Sequence, residues 1–149
     1  MKKISIKGVL IGGVVDIVST NIAVLPLTLY IMRAENLMSL PPQEGTKKVL
    51  EIMHTNSLYY AITLILGGIC SILGGYVAAR IAKREEILNG ALASFLCVGS
   101  GIYAIASGES SAPLWLHVLF LLLSPSVAAF GGFLRLRQLD KTGQAMGRT

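Results

Sequence analysis

Four long apolar stretches govern what this chain can fold into. Segments 8–32, 57–80, 87–107 and 113–134 carry almost no ionisable side chains, and the charges collect between and beyond them. A helix rising about 1.5 Å per residue needs about 20 mostly apolar residues to cross a hydrocarbon core about 30 Å thick, and each stretch reaches that length. Only 14% of the residues are charged, against roughly 25% in a soluble domain, and the mean hydropathy is +0.66. Together these exclude an ordinary soluble domain. They predict an all-α membrane protein: one membrane domain over residues 1–149, built as an antiparallel bundle of four transmembrane helices.

Four crossings put both ends on one side, and the basic residues say which. Lys2, Lys3 and Lys7, then Arg80, Lys83 and Arg84, then Arg135, Arg137, Lys141 and Arg148 share one side, whereas only Arg33, Lys47 and Lys48 lie on the other. By the positive-inside rule both termini are expected in the cytoplasm, in a multi-pass protein of the inner membrane. The net charge of +5 therefore reads as topology signal and anionic-lipid anchor, not as a nucleic-acid footprint. The basic start and apolar middle of residues 1–30 invite comparison with a secretory signal. Asp16 and Asn21 interrupt the run, however, it exceeds the usual signal core, and no A-x-A-like site follows. It is expected to stay as the first span. Cys70 and Cys97 fall mid-span and read as small buried thiols, with no disulfide framework, metal set or cofactor implied.

The connections differ. Residues 33–56 form a long outer loop in which Val49, Leu50, Ile52 and Met53, with Lys47, Lys48 and Glu51, suggest a short amphipathic helix lying at the bilayer surface. Residues 138–149 are polar and small and read as a flexible cytoplasmic tail.

Small residues recur at helical spacing. Gly67, Ser71 and Gly75 form one row four apart, and Ser124, Ala128 and Gly132 form another in matching register, next to the similar strings GGYVAAR (74–80) and GGFLRLR (131–137). Gly8 and Gly12 add a G-x-x-x-G pair in the first span. Apolar attraction between helices is weak in lipid, so association depends on close van der Waals approach, which small side chains permit. These rows are the expected helix-packing surfaces. The matched strings suggest a tandem repeat of a two-helix hairpin.

Asp16 is the one carboxylate inside a span, about 12 Å beyond Gly8 at about 1.5 Å per residue. A charge at mid-bilayer costs roughly 2.5 to 3.5 kcal/mol by insertion scales, so it must be neutral, paired or wet. Ser19 and Thr20 share its helix face at offsets of three and four, while Tyr76 and Arg80 of the second span are the expected partners across the bundle. This polar set is either a lock between helices or a protonatable site on an ion path. Pro26 and Pro125 each remove a helical hydrogen bond, which is expected to kink the first and fourth spans. His117, His54 and Glu109 lie toward the outer side. Ser124 is seven positions below His117 on the same face, and His117 stands roughly 10 Å from Asp16 along the normal of a core about 30 Å thick, too far for a hydrolase triad. No metal-binding, P-loop or dinucleotide fingerprint occurs, so no catalytic residue is assigned and no enzyme is expected.

The segment Gly74-Gly-Tyr-Val-Ala-Ala-Arg-Ile-Ala82, of the form GGYxAARxA, precedes a short charged link and Asn89-Gly-Ala-Leu. It resembles a signature of small bacterial four-helix integral membrane proteins of unassigned function. The resemblance covers about an eighth of the chain and implies that topology and a bacterial inner membrane, but no activity. The expectation is an accessory or structural role in the bilayer, through contact with a second copy or a larger membrane partner. The alternative is a small transporter or channel component coupling a proton or cation through Asp16.

Overall fold

The computed structural model describes residues 4–83, 85–106 and 114–146. The regular elements among them are all helical: α1 (Ile6–Ala34), a short 3-10 turn (Leu37–Ser39), α2 (Pro42–Thr55), α3 (Ser57–Ala82), α4 (Glu86–Ala93), α5 (Phe95–Ala106) and α6 (Leu114–Met146). Three segments are long and apolar enough to cross a membrane, namely α1, α3 and the α4–α5 stretch Glu86–Tyr103. These mark the chain as a membrane protein.

The distribution of side-chain size reverses that of a soluble core. On α3 the large residues Leu58, Ile65, Ile69 and Leu73 are exposed, whereas Gly74, Gly75, Ala78 and Ala79 are buried. Bulky apolar groups gain nothing by leaving lipid, so the interior goes to residues that let backbones approach.

Antiparallel α1 and α3 meet along Gly8, Gly12 and Asp16 of one helix and Ala78, Gly74 and Ser71 of the other. A Cβ on Gly12 would lie 2.6 Å from the Gly74 carbonyl oxygen, and one on Gly74 would lie 2.7 Å from that of Gly12. α6 runs parallel to α3: a Cβ on Gly75 would overlap the Ala128 carbonyl, and one on Gly131 would stand 2.7 Å from the Tyr76 nitrogen. Gly132 abuts the Glu86–Ile87 backbone of α4, and Gly90 of α4 faces Gly132 in return.

Local chemistry sets the ends. Ser5 caps α1 by accepting from the Gly8 N–H at 3.2 Å, and Asn56 caps α3 by accepting from Leu58 and Tyr59. Lys83 and Glu85 take left-handed backbone angles, φ 55° and 44°, within the short turn from α3 to α4. Asn89, fully buried, ties α4 to the start of α1: its Oδ1 accepts from the Ser5 N–H at 2.8 Å while its Nδ2 donates to the Glu85 carbonyl at 3.1 Å. Replacing Asn89 with Ala orphans the Ser5 donor, a loss of about 1 to 3 kcal/mol. We expect a correspondingly lower thermal midpoint in detergent and faster amide exchange at Ser5.

Three expectations need correction. The third span is not one continuous helix. Ser94 breaks it between α4 and α5, its N–H bonding to the Ala91 carbonyl at 3.3 Å and its hydroxyl to the same oxygen at 2.8 Å, the local competition serine offers a helix. The stretch expected as a loose tail is helical as far as Met146, because α6 continues past Arg137 without interruption; residues 147–149 lie outside the described residues. The amphipathic helix in the long loop exists as α2, with Pro42 at its first turn, but its apolar face meets protein. Val49 and Met53 form a buried cluster with Ile31 and Leu37, flanked by Val24, Leu27 and Tyr59. The connection 107–113, with Glu109, lies outside the described residues, as does the His117 side chain.

Candidate intramembrane polar site

Asp16 sits near the middle of α1 and is 2% exposed. Glycine on both sides makes that burial feasible: Gly12, Gly13 and the facing Gly74 bring the α1 backbone against α3 and α4, and a Cβ on Gly74 would fall 2.7 Å from the Asp16 Cβ. Two neighbouring elements supply its hydrogen bonds. The Ser71 hydroxyl of α3 lies 3.1 Å from Oδ1 and 3.0 Å from Oδ2, and the Cys97 thiol of α5 donates to Oδ2 at 3.1 Å. No other contact between α3 and α5 is made at backbone level among the described residues, so the carboxyl group of Asp16 joins two helices that are otherwise apart. A group so buried would be costly without donors, and among the described residues no buried side-chain nitrogen or oxygen lacks a hydrogen bond.

The expected neighbours sort differently. Ser19 hydrogen-bonds the Asp16 backbone carbonyl at 3.1 Å, an ordinary helical back-bond, and leaves the carboxylate alone. Thr20 is half-buried one turn from Asp16. Tyr76 and Arg80 do not reach it. The Tyr76 hydroxyl pairs with Gln138 of α6 at 2.5 Å, and Arg80 is exposed at the end of α3. The reason is helix register: Tyr76 is five positions beyond Ser71, about 140° round a helix of about 3.6 residues per turn, so the face that offers Ser71 to α1 turns Tyr76 toward α6.

The small-residue rows are divided too. Gly8 and Gly12 lie against α3 of the same chain, Gly75 and Ala128 against one another, and Gly132 against α4. Ser71 belongs to the Asp16 junction, Ser124 is half-buried, and a Cβ on Gly67 would meet nothing within 4 Å, so Gly67 makes no packing contact of the expected kind.

Sequence reasoning missed Ser71 and Cys97 as partners of Asp16. Ser71 was read only as a small residue and Cys97 only as an inert thiol, although each can donate a hydrogen bond and each lies near mid-span. The arrangement can hold a carboxyl group with two donors. Among the described residues no histidine, lysine or second carboxylate is bonded to it, and no group of three or more His, Cys, Asp or Glu is placed to hold a metal ion. Compared with known protein families, with curated proteins and with solved structures, the chain matches none.

Proposed function

We propose that this is a small integral protein of the bacterial cytoplasmic membrane with four crossings and both termini inside, whose role is accessory and structural, exercised by helix contact with a second copy or a larger membrane partner. The fourth crossing is α6, in which 114–134 carries no Asp, Glu, Lys or Arg. The observation that carries the functional reading is that the one intramembrane carboxyl group is wholly occupied within the chain, bonded by Ser71 and Cys97 and shielded from solvent. Glycine contacts between α1 and α3, and between α3 and α6, support the same reading, since they make a rigid unit.

A specific observation favours the second reading, a transporter or channel component. Added Cβ atoms at Gly67, Gly68 and Gly99 would meet nothing within 4 Å, so the stretches of α3 and α5 next to Ser71 and Cys97 have room beside them.

One experiment separates the two readings. In a Cys70→Ala background, the Cys97 thiol of protein in lipid nanodiscs is exposed to a small water-soluble methanethiosulfonate. A sealed junction leaves Cys97 unmodified until the protein is denatured. Rapid modification in the native state, slowed by occupancy of the path with a permeant cation, would favour transport over the accessory role.

A further inference from the structure

Near the C-terminal end of α1, Pro26, Leu29, Tyr30 and Arg33 follow one another at offsets of three, four and seven, a single helix stripe. Met38, 63% exposed, overhangs it from the short turn after α1, and the five side chains line an open cavity of about 550 Å³, within the usual range of ligand sites. Polarity is graded along the stripe: proline and leucine lie deeper in the spanning helix, tyrosine follows, and arginine stands in the last turn. Pro26 to Arg33 covers about 10 Å at about 1.5 Å per residue. α1 itself, 29 residues long, extends about 43 Å, more than the core of about 30 Å, so this end emerges through the headgroup layer. Tyr30 is held in place by an edge contact with Tyr59, ring centres 6.4 Å apart. Arg33 is exposed, and no hydrogen bond or ion pair engages its guanidinium among the described residues. It thus presents five N–H donors and a permanent charge with no protein acceptor, and no carboxylate lines the cavity.

We propose that this groove is a binding site for a single anionic phospholipid. The phosphate sits on Arg33 beside the Tyr30 hydroxyl, and the first part of an acyl chain lies on Leu29 and Pro26 under Met38. Charge complementarity at the Arg33 end and the apolar floor at the other match the order of groups along a phospholipid. A planar fork recognises phosphate better than a point charge does, so lysine in place of Arg33 should substitute only in part.

The test is native mass spectrometry of the full chain released from nanodiscs made of equal parts phosphatidylglycerol and phosphatidylcholine. The wild type should retain phosphatidylglycerol over phosphatidylcholine, by about fivefold for one interfacial arginine. Arg33→Gln should abolish the preference, Arg33→Lys should keep a reduced one, and Arg80→Gln, at the opposite end of the bundle, should leave it unchanged. Equal retention of the two lipids by the wild type, or an Arg33→Gln variant as selective as the wild type, would overturn the proposal. So would displacement of the lipid by millimolar inorganic phosphate, the mark of a soluble-anion pocket, or a dimer that dissociates on Arg33→Gln, the mark of an interface between copies.

Discussion

A Gly75→Val variant should lose most of its folded population, whereas Gly67→Val, eight residues earlier on the same helix, should stay close to wild type. At Gly75 the added Cβ would overlap the Ala128 carbonyl and lie 2.8 Å from its carbon, while at Gly67 it would meet nothing within 4 Å. The obstruction is backbone on a rigid helix and cannot rotate away, so α3 and α6 must part. Overpacking of this sort typically costs about 1 to 3 kcal/mol and occasionally more. Here parting the helices also disturbs Gly131 against Ile72 and Tyr76 and the Tyr76–Gln138 bond. Gly131→Val should therefore fail in the same way, and the double variant should be less destabilised than the sum, because the interface opens only once. Gly→Ala substitutions sharpen the comparison. Alanine favours a helix by about 1 kcal/mol over glycine, so Gly67→Ala should raise the thermal midpoint measured by circular dichroism in detergent and Gly75→Ala should lower it.

Asp16→Lys should be the most damaging single change at the polar junction. An ammonium carries donors only and cannot replace the carboxyl oxygens. The consequences all act in one direction. Ser71 and Cys97 lose an acceptor, at about 1 to 3 kcal/mol for buried donors left unsatisfied, and a longer side chain must fit beside Gly74, at about 1 to 3 kcal/mol. A total of about 2 to 6 kcal/mol would unfold a protein at the lower end of ordinary stability, about 5 to 15 kcal/mol, and weaken any other substantially. Asp16→Asn keeps the size and one acceptor oxygen, and the Ser71 hydroxyl can turn to accept from the new amide. Its stability should lie within about 1 kcal/mol of wild type. The measurement is chemical unfolding in mixed micelles. An Asp16→Lys protein as stable as wild type would show that the junction holds nothing together.

The helical class and the approximate places of α1 and α3 were legible because both depend on local properties, apolar run length and the position of charges. That Asp16 needs accommodating was legible for the same reason, but whether it is buried or wet was left open by the sequence. Its partners were not legible, because they depend on the rotation and axial register of α3 and α5 about α1. Those are set by backbone approach at Gly12, Gly13 and Gly74, and a turn of about 140° separates Ser71 from the Tyr76 that had been expected. The break at Ser94 was hidden by the continuous apolarity around it. The fate of the α2 face was hidden because an amphipathic helix looks the same whether its apolar side meets lipid or, as here, Ile31 and Leu37. Similarly, Gly67 and Gly75 look equivalent in a row of small residues, yet only one of them has a helix opposite.

Close backbone approach at Gly12 with Gly74 and at Gly90 with Gly132, and its absence at Gly67, Gly68 and Gly99, can be measured directly by solid-state NMR of the protein in lipid bilayers, labelled with 13C at glycine Cα only. Long-range cross-peaks should join Gly12 to Gly74 and Gly90 to Gly132, with none linking Gly67, Gly68 or Gly99 to another helix. Folded protein that lacks the first two cross-peaks, or that shows Gly67 in contact with a glycine of another helix, would contradict it.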